Sequence, residues 1–251
     1  MTRLAVIGGS GFAGLGQMKV VRREIVRTPY GEPSGPLVIG DIHGVAMLFL
    51  PRHGPGHVLP PHRVNYRANL WALKESGATG IIAVAAVGGI GADCGPGTIV
   101  LPQQIIDYTY GREHTYCDGS DRQVTHVDFT QPYDHDLRQN LLAAAVRAGE
   151  PVLGAGVYAA TQGPRLETAA EIARLQRDGA SLVGMTGMPE AALARELGIP
   201  YAHLCVVSNW AAGCGDSRER ISHADLQATL DHSIGRVQRV IVALAETLGQ
   251  A

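Results

Sequence analysis

Short, continuous apolar runs rich in Val and Ile recur along the chain, and they alternate with segments whose apolar residues follow helical spacing. Runs that lack the alternation of a half-exposed strand are typical of strands covered on both faces. The sequence therefore predicts an α/β fold whose central sheet is mixed and largely parallel, with helices on its faces. The predicted strands are 4–7, 45–50, 80–87, 99–101, 156–160 and 203–207, and the predicted helices are 65–75, 134–148, 168–178, 189–197 and 224–248.

The composition is typical of a globular protein that binds small molecules. The 251 residues contain no stretch that resembles a linker, so one domain over residues 1–251 is predicted. A hydrophobic fraction of 45% is enough for a large core. The formal net charge of −2 offers no broad electropositive face for nucleic acid or an anionic membrane. No run approaches the roughly 20 apolar residues of a membrane helix.

The cysteines and the first residues predict a cytoplasmic protein. The four cysteines, Cys94, Cys117, Cys205 and Cys214, form no C-x-x-C pair. A chain of this size needs no disulfides to fold, so reduced thiols are expected. The opening apolar stretch is interrupted at Gly8, too early for the apolar region of a signal peptide.

A Gly-rich motif after the first predicted strand could belong to a dinucleotide-binding protein. Gly9, Gly11 and Gly14 fit the pattern G-x-G-x-x-G. A Rossmann unit then needs a full helix and a second strand that ends in an acidic residue, but the residues between Gly14 and Glu24 leave no room for that helix. What remains is a Gly-rich turn whose backbone N–H groups, with the Ser10 hydroxyl, can bind an anion.

Two further segments place anion-binding groups after predicted strands. Arg52 and His53 follow the strand 45–50, where the arginine is suited to bidentate contact with phosphate oxygens and the histidine can add a donor. A surface loop with a structural arginine explains this segment, taken alone, equally well. Thr186 ends another strand and precedes Pro189 in the first turn of a helix, so its hydroxyl and free N–H groups predict a third anion site.

These segments give the chain a resemblance to the purine nucleoside phosphorylases of the methylthioadenosine/methylthioinosine phosphorylase type. The resemblance runs over nearly the whole chain and is carried by residues 6–11, 28–31, 51–54, 65–73, 162–168 and 184–190. It implies the α/β fold of that family, a homotrimer with pockets at subunit interfaces, and Met185 packed against the ribose. The implied phosphate ligands are Ser10, Arg52, His53, Thr186 and the backbone near Ala85 and Ala86. A polar residue is often seen in place of Ala85, so at that position only the N–H is counted.

The resemblance also locates a base pocket, in which Asn209 and Glu167 are the predicted catalytic residues. Adenine-specific members carry acidic residues where this chain has Asn209 and Ala211. An Asn amide can donate to O6 and accept from a protonated N7, and Glu167 can accept from N1–H, a proton that 6-oxopurines have and adenine lacks. The alternative is that Glu167 caps the helix beginning near Thr168 and that Asn209 lies in an ordinary turn. The full implied set is Leu166, Glu167, Asn209, Trp210 and Ala211.

The 5′ end of the sugar is predicted at the start of the last helix. Methylthio-specific members place an apolar residue there, and members that use ordinary nucleosides place a His. The match leaves both Ser222 and His223 open for this position, and Ser222 also suits a helix N-cap. The segment around His126 is implied to reach the sugar site of a neighbouring subunit, against the alternative of an ordinary loop histidine.

Together these features predict phosphorolysis of a 6-oxopurine nucleoside in purine salvage, with S-methyl-5′-thioinosine as the leading substrate. Phosphate is itself the nucleophile, so the carboxylate pair of a glycoside hydrolase is not needed, and no cofactor or metal is expected. Inosine or guanosine is the next substrate considered, followed by methylthioadenosine. A noncatalytic nucleoside- or phosphate-binding protein is the alternative from a different class, and substrate-dependent consumption of phosphate separates it from the enzymes.

Overall fold

The computed structural model describes residues 2–12, 14–117, 119, 124–217 and 223–250, with the backbone alone for 223–225. Within those ranges it has eleven strands and five α-helices. The strands are β1 (Arg3–Gly8), β2 (Lys19–Glu24), β3 (Leu37–Ile42), β4 (Val45–Pro51), β5 (Gly80–Gly89), β6 (Ile99–Val100), β7 (Gln104–Asp107), β8 (Val152–Leu153), β9 (Val157–Ala160), β10 (Leu182–Gly184) and β11 (Tyr201–Trp210). The helices are α1 (Tyr66–Glu75), α2 (His135–Arg147), α3 (Ala169–Arg177), α4 (Gly187–Glu196) and α5 (His223–Gly249), and short 3-10 turns lie at Pro61–Arg63 and Gly215–Ser217.

The strands form one mixed sheet, as predicted. Its main path runs β2-β3-β4-β1-β5-β10-β9-β7, while β11 pairs with β5 and with β6, and β6 pairs with β8. The pairs β1–β4, β1–β5, β5–β11, β9–β10, β7–β9 and β6–β8 are parallel. The pairs β2–β3, β3–β4, β5–β10 and β6–β11 are antiparallel.

The sheet is covered on both faces because its central strands are apolar on both. In β1, Leu4 and Val6 pack into a cluster with α2 and α5. The alternate residues Ala5 and Ile7 pack into a second cluster with α1 and α4. A strand whose two faces are both buried reads as a continuous apolar run, and this explains why the sequence pattern located the centre of the sheet.

The pairing of β5 is interrupted on one side, and this break positions the cavity described below. β1 pairs with β5 only as far as Ala83, and β10 pairs with the same side of β5 from Gly88 onward. β1 runs parallel to β5 and β10 runs antiparallel to it, so the carboxyl ends of β1 and β10 point toward each other. The stretch of β5 between Ala83 and Gly88 faces the gap between these two strand ends.

The strands β2, β3, β7 and β8 were not predicted. All six residues of β2 are exposed at the edge of the sheet, so no burial pattern marks this strand in the sequence. β8 has two residues and β7 has four, which is too short for periodicity to be read. No helix in the described part of the chain is long and apolar enough to cross a lipid bilayer.

Candidate active site

A cavity of about 580 Å³ opens at the gap beside β5. It collects segments from the ends of five different strands, because the carboxyl ends of β1, β4, β9, β10 and β11 all approach this point. The cavity brings together most of the site residues predicted from sequence, namely Ser10, Arg52, His53, Ala85, Ala86, Leu166, Glu167, Met185, Thr186, Asn209 and Ala211.

The Gly9–Ser10 turn after β1 lies against the backbone of β5. A Cβ atom on Gly9 would stand 2.6 Å from the Val84 carbonyl oxygen and 2.8 Å from an Arg52 guanidinium nitrogen. These distances leave no space for a side chain. The Ser10 hydroxyl next to this turn lies 3.4 Å from the Nε2 atom of His57. Gly9 is therefore required for close packing, and the dinucleotide-binding interpretation is wrong because β2 follows where its helix would have to lie.

Arg52 lies at the floor of the cavity in a closed ion pair. Its Nε and one terminal nitrogen donate to the two carboxylate oxygens of Glu190 at 2.7 and 2.8 Å. The other terminal nitrogen donates to the Val84 carbonyl at 2.9 Å. Both charged side chains are 0% exposed. Burial alone lowers the pKa of Arg52, but the adjacent Glu190 carboxylate reverses this and the pKa lies above its ordinary value. The surface-loop interpretation of Arg52 is therefore wrong.

His53 is held in one tautomer by the loop that follows it. Its Nδ1 lies 2.7 Å from the Leu59 carbonyl, which can only accept, so Nδ1 carries the proton. Burial and, next, the nearby Arg52 charge lower the pKa of His53 to about 4. The ring is therefore neutral at pH 7 in the ligand-free protein, and its Nε2 is then an acceptor.

Thr186 and the start of α4 differ from the prediction in one respect. The Thr186 hydroxyl is buried and has no hydrogen-bond partner among the described residues, and the residue lines the cavity. The backbone N–H groups of Thr186 and Gly187, expected to be free, instead donate to the Tyr158 hydroxyl at 3.3 and 3.4 Å. The group left without a partner here is thus the Thr186 hydroxyl, while the Tyr158 hydroxyl accepts from the first N–H groups of the helix.

The backbone of β5 offers one N–H group to the cavity. Ile81 donates toward the β11 side, and the Val84 carbonyl accepts from Arg52 on the other side. Because successive residues of a strand direct their N–H and C=O groups to opposite edges, Ala86 directs its N–H into the gap. Ala85 directs its N–H toward β11. The Ala85 N–H that was counted as a phosphate ligand therefore points away from the cavity, and the Ala86 N–H is the available donor.

At the other end of the cavity, a β-bulge in β11 places Asn209. The register between β11 and β5 shifts between Val207 and Asn209, and a bulge re-aims the side chains next to it. The Asn209 amide accepts from the Ser208 hydroxyl at 2.8 Å and donates to the Trp210 carbonyl at 2.7 Å. One N–H and one lone pair of the amide remain for a ligand. Asn209 therefore belongs to a strand, so the ordinary-turn interpretation is wrong.

Glu167 faces the same end and does not cap α3. The N-cap is Thr168, which forms a complete capping box with Glu171. Glu167 instead accepts a hydrogen bond from the Thr161 hydroxyl at 2.5 Å. Its carboxylate is thus oriented by one neighbour while it lines the cavity.

Four of the remaining predicted residues lie elsewhere or cannot be placed. Trp210 does not line the cavity, and its indole packs against Gly95 and Gly215 because neighbouring strand residues point to opposite faces. Ser222 lies outside the described residues, and for His223 only the backbone, at the first residue of α5, is described. His126 is exposed and does not line this cavity.

Arg112, which no sequence pattern marked, connects the walls of the cavity. Arg112, 8% exposed, donates to the backbone carbonyls of Met185 and Met188 at 2.9 and 2.6 Å. It also donates to the carbonyls of Thr161 and Gln162 at 3.2 and 2.8 Å. Arg112 lies in an irregular segment between β7 and α2, where no periodicity marks a buried residue. Glu190 lies in the segment 184–190 that carries the family resemblance, but the sequence does not indicate that its partner is Arg52.

The fold and the site define a protein that binds a small oxyanion beside a ligand with several hydrogen-bonding groups. The chain belongs to the phosphorylase superfamily, whose sequence model matches residues 3–246. A probable S-methyl-5′-thioinosine phosphorylase of Xanthomonas campestris pv. campestris is 52% identical over 96% of each chain. The 6-oxopurine nucleoside phosphorylase of Pyrococcus furiosus is 42% identical over 97% of this chain and 92% of its own. The structure of methylthioadenosine phosphorylase from Schistosoma mansoni in complex with adenine superposes with a TM-score of 0.94 at 32% identity, covering 100% of this chain and 93% of that one.

Proposed function

We propose that the protein is a purine nucleoside phosphorylase that converts S-methyl-5′-thioinosine and phosphate to hypoxanthine and 5-methylthioribose 1-phosphate, in purine salvage. One observation carries this proposal. A single cavity has oxyanion donors at one end and the Asn209 amide with the Glu167 carboxylate at the other. The names of the relatives at about 50% identity support the same reaction.

In the proposed reaction a phosphate oxygen forms a bond to C1′ while the bond from C1′ to N9 breaks. The bonding electrons leave with the purine, and the sugar passes through a cationic state that the phosphate charge stabilises. The Ser10 and Thr186 hydroxyls and the Ala86 N–H hold the phosphate. N7 of the departing base takes up a proton through water, and the phosphate gives up its own proton in exchange as it becomes the sugar phosphate. The Asn209 carbonyl oxygen accepts a hydrogen bond from N7–H. Phosphate is the only co-substrate, so the reaction needs no cofactor or metal.

The base end of the cavity favours 6-oxopurines over adenine. Glu167 can accept from N1–H of hypoxanthine, while adenine would set the N1 lone pair against the carboxylate, at a cost of about 1–3 kcal/mol. At Ala211, buried in the cavity wall, there is no acid to serve a 6-amino group. Both features argue against methylthioadenosine as the main substrate.

Inosine and guanosine are the second candidate substrates. The match over nearly the whole chain to the 6-oxopurine nucleoside phosphorylase of P. furiosus supports this alternative. The choice depends on the 5′ group of the sugar, which is expected near the start of α5. A second cavity of about 700 Å³ shares Ser10, His53, His57 and Leu226 with the first and extends along this helix.

We further propose that the active form is a homotrimer in which His126 contributes to the site of a neighbour. His126 and the residues beside it are exposed in the single chain, as a segment used by a neighbouring subunit must be.

The test is base release from methylthioinosine, inosine, guanosine and methylthioadenosine, each with and without phosphate. We expect release to require phosphate and to be fastest with methylthioinosine. Equal release without phosphate would make the protein a hydrolase, and binding without release would make it a binding protein. Faster turnover of inosine than of methylthioinosine would favour the second candidate.

A further inference from the structure

The guanidinium of Arg52 belongs to a hydrogen-bonded group of three side chains from distant parts of the chain. Arg52 directly follows β4, while Glu190 lies in α4 and accepts two of its N–H groups at 2.7 and 2.8 Å. The hydroxyl of Tyr201, the first residue of β11, donates to the Glu190 carboxylate at 2.9 Å. These side chains are buried, so bulk water does not compete for their hydrogen bonds.

This arrangement fixes the plane of the guanidinium. Two parallel bonds to one carboxylate prevent rotation, and the bond to the Val84 carbonyl at 2.9 Å fixes the third nitrogen. A guanidinium has five N–H groups, and two of those on Arg52, one on each terminal nitrogen, have no acceptor among the described residues. Arg52 lines the cavity, so these two are the groups that an oxyanion would meet.

The ion pair is also electrically neutral, and this changes what Arg52 can contribute. His53 is neutral at pH 7 as well, so neither His53 nor the Arg52–Glu190 pair brings a net positive charge. Binding a phosphate dianion must then depend on the direction of the donors more than on bulk attraction. If rotation about one side-chain bond turned the guanidinium away, both of its hydrogen bonds to the anion would be lost, because its donors lie in one plane.

We propose that Glu190 is a positioning residue for phosphate, which holds the Arg52 guanidinium so that two of its N–H groups are directed at the anion, with Tyr201 holding Glu190. This inference rests on the proposed phosphate-dependent reaction. Glu190 does not need to touch either substrate, and its effect passes through Arg52.

A double-mutant cycle tests this proposal. Glu190→Gln keeps the size of the side chain but accepts only one of the two bonds from Arg52, so the KM for phosphate should rise roughly 10–100-fold. The KM for the nucleoside at saturating phosphate should change less than about threefold. In an Arg52→Met background, Glu190→Gln should cause no further rise, because residues that act through one another are not additive. A merely structural role would reduce the amount of active enzyme and leave the KM for phosphate unchanged.

Two more variants complete the design. Glu150→Gln is the matched control, because Glu150 also pairs with arginines, Arg236 at 2.8 Å and Arg239 at 2.7 Å, away from the cavity. It should leave the KM for phosphate unchanged. Tyr201→Phe keeps the ion pair and removes only its support, so it should raise the KM for phosphate severalfold, and it decides the question if Glu190→Gln does not fold.

The inference is overturned if folded Glu190→Gln, or Tyr201→Phe in its place, keeps the KM for phosphate of the unmodified enzyme. It is also overturned if Glu190→Gln and Arg52→Met have additive effects on that KM. Phosphate-independent cleavage by the unmodified protein would be a different result, because it would refute the proposed function itself.

Discussion

At the scale of single residues, the site depends on glycines, which leave space for their neighbours, as much as on polar side chains. Gly9 lets the Arg52 guanidinium lie against the backbone of β5, and Gly163 makes the same kind of space for Met185, since a Cβ there would stand 2.4 Å from the Met185 sulfur. The polar groups of the site could be predicted from sequence because they occur in short motifs. The pairing of Arg52 with Glu190 could not, because these residues are 138 positions apart.

Gly9→Ala should weaken phosphate binding and destabilise the fold by about 1–3 kcal/mol, the usual cost of overpacking. The added methyl group would displace either the Val84 carbonyl or the Arg52 guanidinium. Thermal unfolding and the KM for phosphate measure the two effects. Gly14→Ala is the control, because a Cβ on Gly14 meets nothing within 4 Å. Equal behaviour of the two variants would contradict the packing argument.

Asn209→Asp combined with Ala211→Asp should shift the base preference toward 6-aminopurines. Both positions line the cavity, and carboxylates there would supply acceptors for an amino group and a proton source for N7. The measurement is the ratio of kcat/KM for inosine to that for adenosine. If the folded double variant kept the ratio of the unmodified enzyme, the assignment of the base end would be wrong.

At the scale of elements, the cavity walls are loops tied to each other by Arg112. The loop after β9, the loop that joins β10 to α4 and the first turn of α4 contribute four backbone carbonyls to this one guanidinium. Long apolar elements such as β5 and α5 were predictable from their periodicity. The edge strand β2 and the short strands β7 and β8 were not, because their pairing partners define them more than their own residues do.

Arg112→Ala should lower kcat/KM for the nucleoside roughly 10–100-fold, the usual effect of losing an orienting partner. The variant would remove the donor to the buried Met188 carbonyl, at a cost of about 1–3 kcal/mol. Steady-state kinetics and thermal unfolding record both consequences. Arg177→Ala, at the exposed end of α3, should change neither, and an active Arg112→Ala enzyme would show that the loops are held in another way.

At the scale of the whole molecule, the confirmed predictions are the family and the mixed, largely parallel sheet. These depend on the central apolar strands and on motifs that lie next to them. The single domain, the trimer and the cytoplasmic location stay predictions. Subunit contacts in particular leave little trace in one sequence, because an interface has no periodicity of its own.

Stability should fall as the pH is lowered from about 6.5 toward 4. Burial and then the Arg52 charge lower the pKa of His53 to about 4 in the folded protein, against about 6.5 in an unfolded chain. Between these values the unfolded chain binds more protons than the folded protein, so the free energy of unfolding falls as the pH is lowered. His203, fully buried, has its pKa lowered by the same two causes. Urea unfolding between pH 5 and 7 would measure the slope, and His53→Asn should make it shallower. If the free energy of unfolding depended on pH equally in His53→Asn and in the unmodified protein, His53 would not be buried in its neutral form.

The trimer prediction is tested by light scattering and by His126→Ala. We expect a trimer in solution and about a tenfold loss of kcat/KM in the variant, the size of one lost hydrogen bond of about 1.4 kcal/mol. His135→Ala, at the exposed start of α2, should have no effect. A monomer with full activity would refute the shared site.

The interruption in the pairing of β5 should change how fast one of its amides exchanges hydrogen with water. An amide in the middle of a central strand is ordinarily among the slowest in a protein to exchange its hydrogen with water. The N–H of Ala86 has no strand partner among the described residues, so it should exchange quickly while its neighbours in β5 stay protected. A bound phosphate would accept the hydrogen bond from the Ala86 N–H that a neighbouring strand would otherwise accept. Slow exchange at Ala86 would then report that phosphate occupies the site, without any turnover.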